Sequence, residues 1–157
     1  MKENNYRRQR GFSLIELMIV MSIIGILIAI SYGAFQAAQR AANETAAISN
    51  MQKIAQAQVD YNRSRRQYGT FDELVRHGGL TENFQGDEPI VDGYRYKMQV
   101  KPKANGQLSS YSVNADPAQP EGVARTGSNY YYIGSDSPNV RSNPEQPATV
   151  EDPVLNN

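Results

Sequence analysis

Polar positions nearly vanish over one stretch near the start of the chain. From Phe12 to Gln39 the only charged side chain is Glu16, and the run LIELMIVMSIIGILIAI is apolar at nearly every other position. A helix rising ~1.5 Å per residue needs ~20 mainly apolar residues to cross a bilayer. The 19 residues from Leu17 to Phe35 are adequate. Their apolar side chains lie all round the helix, as a lipid-buried segment requires. A secretory signal with a 7–15-residue apolar region and a small-residue cut site fits less well, because this run is longer. The next segment, residues 34–65, is rich in alanine and holds neither proline nor glycine. Alanine is the strongest helix former, so the helix is expected to continue to about Arg65. Ile48, Met51, Ala55 and Val59 recur there at helical spacing, flanked by Ile54 and Tyr61. That stripe makes the second half amphipathic and in need of a partner surface.

The pattern then changes period. YGTFDELVRHGGL (68–80) reads as a short helix with Thr70 as N-cap, Glu73 at the capping-box position and Gly78-Gly79 as the stop. GYRYKMQVK (93–101) alternates strictly. Tyr94, Tyr96, Met98 and Val100 fall on one face, and charged or polar residues fall on the other, as in a half-buried strand. Asn105-Gly106 marks a hairpin turn, LSSYSVNA (108–115) the return strand and NYYYIG (129–134) a third strand. Residues 138–157 hold four of the eight prolines with many Asn, Glu and Asp, which predicts a loosely ordered tail. The fold class is therefore α+β: a long N-terminal helix whose amphipathic half packs on a small antiparallel β-sheet head.

Composition narrows the chemistry. With no cysteine, disulfides, thiolate metal sites and thiol nucleophiles are excluded. The single histidine, His77, disfavours histidine-rich metal sites and Ser/His/Asp catalysis; it reads as a helix-end residue facing the dipole. The 16 basic and 16 acidic residues cancel, but unevenly. Residues 1–11 hold four basic residues against one acid, net +3, and the remainder is net −3. A basic end before an apolar run is a targeting pattern, with Lys and Arg kept on the cytoplasmic side. No basic stripe continues beyond it, so nucleic-acid binding is not indicated. The Walker-type phosphate loop is absent, and no paired carboxylates suggest hydrolase chemistry. Tyr130-Tyr131-Tyr132 reads as strand rather than as a charge-transfer path or a surface-adhesion feature. DEPIVDG (87–93) reads as a solvated loop, because its acids lack EF-hand spacing.

One short stretch carries a resemblance. RGFSLIE (10–16) is similar to the processing site of type IV prepilins and type II secretion pseudopilins, with the match continuing through the apolar run. The resemblance implies a leader of residues 1–11 cut by a prepilin peptidase between Gly11 and Phe12, with N-methylation of Phe12. It implies that Glu16 is the assembly glutamate, that residues 12–65 form the long helix, and that about 12–35 serve both membrane and filament core. A globular head over 66–137 and the tail over 138–157 follow. The partners implied are other copies in a homopolymer, the peptidase/methyltransferase, an inner-membrane platform protein and a separate assembly ATPase. The location implied is the bacterial inner membrane, single-pass, then an extracellular or periplasmic filament; DNA contact arises only through a DNA-uptake filament. The chain is expected to be a structural subunit of a pilus or pseudopilus, and not an enzyme. The alternative is a minor member that starts or caps a filament, or that captures DNA or a secreted substrate.

The physics of the motif is consistent with this. Cutting before Phe12 creates an ammonium four residues from the Glu16 carboxylate. A buried carboxylate is disfavoured without a partner, and staggered helices can bring the amine of one subunit to Glu16 of the next. Gly33 stands where many members carry proline, and offers a point at which the helix can loosen. Major pseudopilins often hold calcium in the C-terminal region. Asp116 and Asp136 are the candidate ligands here, but no dense carboxylate cluster surrounds them, so no cofactor is expected and solvated loop acids are the default reading.

Overall fold

The computed structural model describes residues 11–104 and 107–155, which leaves the basic leader and the Asn105-Gly106 turn outside the described residues. The chain divides into two compact units, one ending at Phe35 and the other beginning at Gln36. Helix α1, Leu14–Arg65, is 52 residues long and contributes to both.

The second unit is built on the amphipathic half of α1. Its buried residues are Ala47, Asn50, Met51, Ile54, Ala57, Gln58 and Tyr61. The expected stripe is therefore rotated. Val59 is exposed, Ile48 and Ala55 are only partly buried, and two amides lie inside. Both amides are there because they have partners. Gln58 Nε2 donates to Gly69 O at 2.7 Å, and Gly69 N–H donates to Gln58 Oε1 at 3.0 Å. Asn50 Nδ2 donates to Asp92 Oδ2 at 2.9 Å and to the Tyr96 hydroxyl at 3.3 Å. Buried amides with satisfied hydrogen bonds are tolerated where bare ones are not.

Helix α2, Phe71–Arg76, begins in the expected capping box. The Thr70 side chain accepts from Glu73 N–H, and the Glu73 carboxylate accepts from Thr70 N–H. His77 closes the helix and Gly78 follows at φ 83°, the left-handed turn that glycine adopts freely. A 3-10 turn at Glu82–Phe84 leads to the sheet.

Five strands form one antiparallel meander in sequential order: β1 Ile90–Val91, β2 Tyr94–Lys101, β3 Ser110–Pro117, β4 Tyr130–Gly134 and β5 Ser137–Asn143. Alternation in β2 and β3 holds. Tyr94, Tyr96, Tyr111, Val113 and Ala115 are buried, with Met98 and Val100 partly so. They meet Ala47, Met51 and Ile54 of α1, together with Phe71, Phe84, Tyr131 and Ile133, in one core. Aromatic pairs such as Phe84–Tyr96 (ring centroids 5.3 Å apart) and Tyr68–Tyr111 (4.7 Å) meet edge to face, the arrangement that their quadrupoles favour. Burial pushes the Tyr96, Tyr111 and Tyr131 hydroxyls up to about 12.

The C-terminal segment departs from expectation. Residues 137–143 are strand β5, not loose chain, and Val140 is buried in the core. Beyond it the chain folds back: Leu155 N–H donates to Val140 O, and Ser142 N–H donates to Pro153 O. Ala148 is buried, its carbonyl accepting from Asn114 Nδ2 at 2.7 Å. Asp152 accepts from Thr149 N–H and from Asn143 Nδ2, each at 2.7 Å, and these bonds hold its carboxyl below the usual range. A polar, proline-rich composition signals disorder only when its Asn and Asp side chains have no backbone to bind.

Candidate functional site

Every residue from Gly11 to Phe35 is exposed. Gly11, Phe12 and Ser13 precede the helix, and Phe12 is 87% exposed. The Gly11–Phe12 peptide bond therefore joins two exposed, non-helical residues. Leu14 starts the helix and Glu16 sits in its first turn. Glu16 Oε2 accepts from Ser13 N–H at 2.9 Å, and Leu17 N–H donates to Ser13 O at 3.2 Å. Ser13-x-x-Glu16 thus forms the glutamate arm of a capping box. The carboxylate is held over the helix N-terminus, where both a free N–H and the macrodipole favour negative charge. In the single chain Glu16 already has a partner, and that partner is one residue from the Phe12 nitrogen.

From Leu14 to Phe35 the side chains are predominantly apolar on all sides, and this is the one described helix long and apolar enough to cross a membrane. Its two serine hydroxyls are satisfied within the helix: Ser22 Oγ donates to Met18 O at 2.8 Å, and Ser31 Oγ donates to Leu27 O at 2.7 Å. The helix runs unbroken through Gly33, and a methyl group built there meets no atom within 4 Å beyond its chain neighbours and the helix's own backbone.

The two aspartates suggested for calcium are kept apart. Asp116 lies in β3, is 8% exposed, and meets Lys97 Nζ through Oδ2 at 3.0 Å. Asp136, in the β4–β5 turn, accepts from the Tyr132 hydroxyl at 3.3 Å. Asp116 is four residues along β3 from Ser112, which pairs with Gly134 beside Asp136, a separation of about 13 Å at ~3.3 Å per residue. Among the described residues no three His, Asp or Glu side chains converge on one point.

Sequence reasoning missed a clasp within the second unit. Glu44 accepts from Ser128 N–H at 2.7 Å and from Asn129 Nδ2 at 3.1 Å, while Asn43 Nδ2 donates to Thr126 O at 2.9 Å. Two adjacent polar residues of α1 thereby fix the β3–β4 connection. Their spacing aligns them with the apolar stripe, Asn43 four residues before Ala47 and Glu44 four before Ile48, but their polarity kept them out of the expected core.

Two comparisons with known proteins bear on this site. The model of the prokaryotic N-terminal methylation motif matches residues 6–32. Over 64 residues, 41% of this chain, the sequence is 41% identical to the type IV major pilin protein PilA of Myxococcus xanthus (strain DK1622). The matched stretch spans 29% of the length of that relative.

Proposed function

We propose that this chain is a member of the type IV pilin family and a structural subunit of a type IV pilus or pseudopilus filament. In this reading residues 1–11 are a leader removed after Gly11, and Phe12 becomes the N-methylated first residue. The segment of about 12–35 anchors the subunit in the bacterial inner membrane and then forms the filament core. The head carries no chemistry of its own, and extension is driven by a separate ATPase working through a membrane platform.

The observation that supports this best is the placement of Glu16. A lone carboxylate in an all-apolar helix is disfavoured unless it is paired. Here Ser13 N–H holds it beside the position of the future amine. Cleavage would convert the neutral Phe12 amide into an ammonium, and methylation leaves it charged. In a staggered stack the amine of a neighbouring subunit then completes the pair. Such a pair specifies register more than it adds stability.

Co-expression with a prepilin peptidase tests the processing step. Intact mass is expected to fall by residues 1–11 and rise by one methyl group; an unchanged mass refutes it. Glu16→Ala is expected to insert and be cleaved as the unsubstituted chain is, yet to yield few filaments. Normal filament yield from Glu16→Ala would remove Glu16 from assembly.

A further inference from the structure

The head unit carries two exposed patches of opposite charge on different elements. The basic patch lies where α1 ends and α2 runs. Arg65, Arg76 and His77 line one shallow cavity of about 230 Å³ with Tyr61 and Glu73, and Arg66 follows directly in the chain. Two acids near it have partners of their own. Glu73 Oε2 accepts from Thr70 N–H at 2.8 Å in the capping box, and Asp60 meets Arg63 at 3.3 Å. Arg76 donates through Nε to Asp72 O at 3.2 Å. Arg65 and Arg66 are exposed and have no ion-pair partner among the described residues.

The acidic patch is the segment from Glu82 to Asp92, which holds four acids and no Lys or Arg. Asp92 is occupied by Asn50, and Glu88 meets Arg95 at 3.4 Å. Glu82 and Asp87 are exposed and have no ion-pair partner among the described residues. Both patches sit on fixed backbone. The Thr70–Glu73 box sets α2, and Asp72 Oδ1 accepts from Gly86 N–H at 2.9 Å, holding the acidic segment.

A subunit that adds without limit needs a heterologous contact, in which one surface meets a different surface of the next copy. Two patches of opposite sign on one head, each with exposed charges that lack an ion-pair partner among the described residues, make such a pair. We propose that Arg65, Arg66 and Arg76 of one subunit dock on Glu82 and Asp87 of a second copy of this chain. The inference rests on the filament reading above and names the head contact that reading lacks. Exposed ion pairs add little energy singly. As a set they select the partner, speed its capture and fix its orientation, and they weaken as salt rises.

The absence of cysteine makes the contact testable in the full chain. Arg66→Cys and Asp87→Cys are introduced together and singly, and intact filament-bearing cells are treated with a short bis-maleimide. The double variant is expected to give a ladder of dimers, trimers and higher species that neither single variant gives. Dimers from Arg66→Cys alone, or coupling to a different protein, would overturn the proposal. A second measurement guards against misfolded variants. Arg65→Glu/Arg66→Glu is expected to lower sheared filament yield by about ten-fold, and adding Glu82→Lys/Asp87→Lys to restore it to within about two-fold, as complementary charge requires. Failure of the restoration, with the chain present at normal level, counts against the docking. Filaments that form without the cross-link leave the pilin reading standing and sink this contact. No filaments from any chain, the unsubstituted one included, sinks both.

Discussion

Gln58→Leu isolates what holds α1 to the segment that precedes α2. The side chain is fully buried and bonds both backbone groups of Gly69, which is itself buried. Leucine fills similar volume but leaves the Gly69 N–H and C=O without partners. Each orphaned buried group costs ~1–3 kcal/mol, and the added apolar burial returns part of that. A net loss of about 2–4 kcal/mol follows, which at ~4 °C per kcal/mol for a head of this size lowers Tm by about 8–16 °C. Near-ultraviolet circular dichroism of the tyrosines, followed through thermal unfolding in detergent, reads it directly. Gln58→Glu adds a sign test. Ionised, the new carboxylate can still accept from Gly69 N–H but repels Gly69 O; protonated, it can donate again. Its folded pKa is therefore raised. The stability it supplies is complete below the unfolded glutamate pKa of ~4.3 and is lost as pH rises through the folded value. Gln58→Leu melting within about 0.5 kcal/mol of the unsubstituted chain, or Gln58→Glu insensitive to acid, would refute the reasoning.

The head should also unfold in alkali. Burial raises Tyr96, Tyr111 and Tyr131 from 10.0 to about 12, so their contribution is full below pH 10.0 and is lost as pH climbs through about 12. Tyrosinate absorbance from these three should rise together with loss of fold; all ten tyrosines titrating at pH 10.0 in a folded head would contradict the packing. Gly93→Ala should destabilise by about 2–3 kcal/mol through strain at positive φ and a lost hydrogen bond. Gly93 sits at φ 76°, and the new methyl would lie 2.7 Å from Asn43 Nδ2, the donor to Thr126 O. Denaturant unfolding measures this, and a stable Gly93→Ala would show that the clasp can yield.

What could be read from the sequence is what neighbours along the chain decide. Both halves of α1, the Thr70–Glu73 cap, the alternation of Tyr94 to Lys101 and the RGFSLIE run are each set within a few residues. The parts that escaped depend on partners far away in sequence. Gln58 enters the core because Gly69 meets it, Asn50 because Asp92 and Tyr96 do, and Glu44 leaves solvent for Ser128, 84 residues on. All three stand at helical spacing with the stripe (Glu44 four before Ile48, Asn50 four before Ile54, Gln58 four after Ile54), but polarity alone does not name the partner that lets them be buried. The C-terminal segment was misjudged for the same reason: Asn114, Asn143 and Asp152 convert a composition that resembles linker into a closed turn. Glu16 was legible as an anomaly, but its bond to Ser13 N–H needed coordinates.

The bare apolar surface from Leu14 to Phe35 has a consequence for the direction of assembly. Leaving a bilayer for a filament core exchanges one hydrocarbon environment for another, so the hydrophobic effect, so strong against water, gives almost no net push across that step. On the proposed reading the helix sets where the subunit can reside and leaves the balance between the two residences nearly level. A nearly level balance is reversible: small changes in the polar groups at either end can tip a whole filament toward growth or back into the membrane.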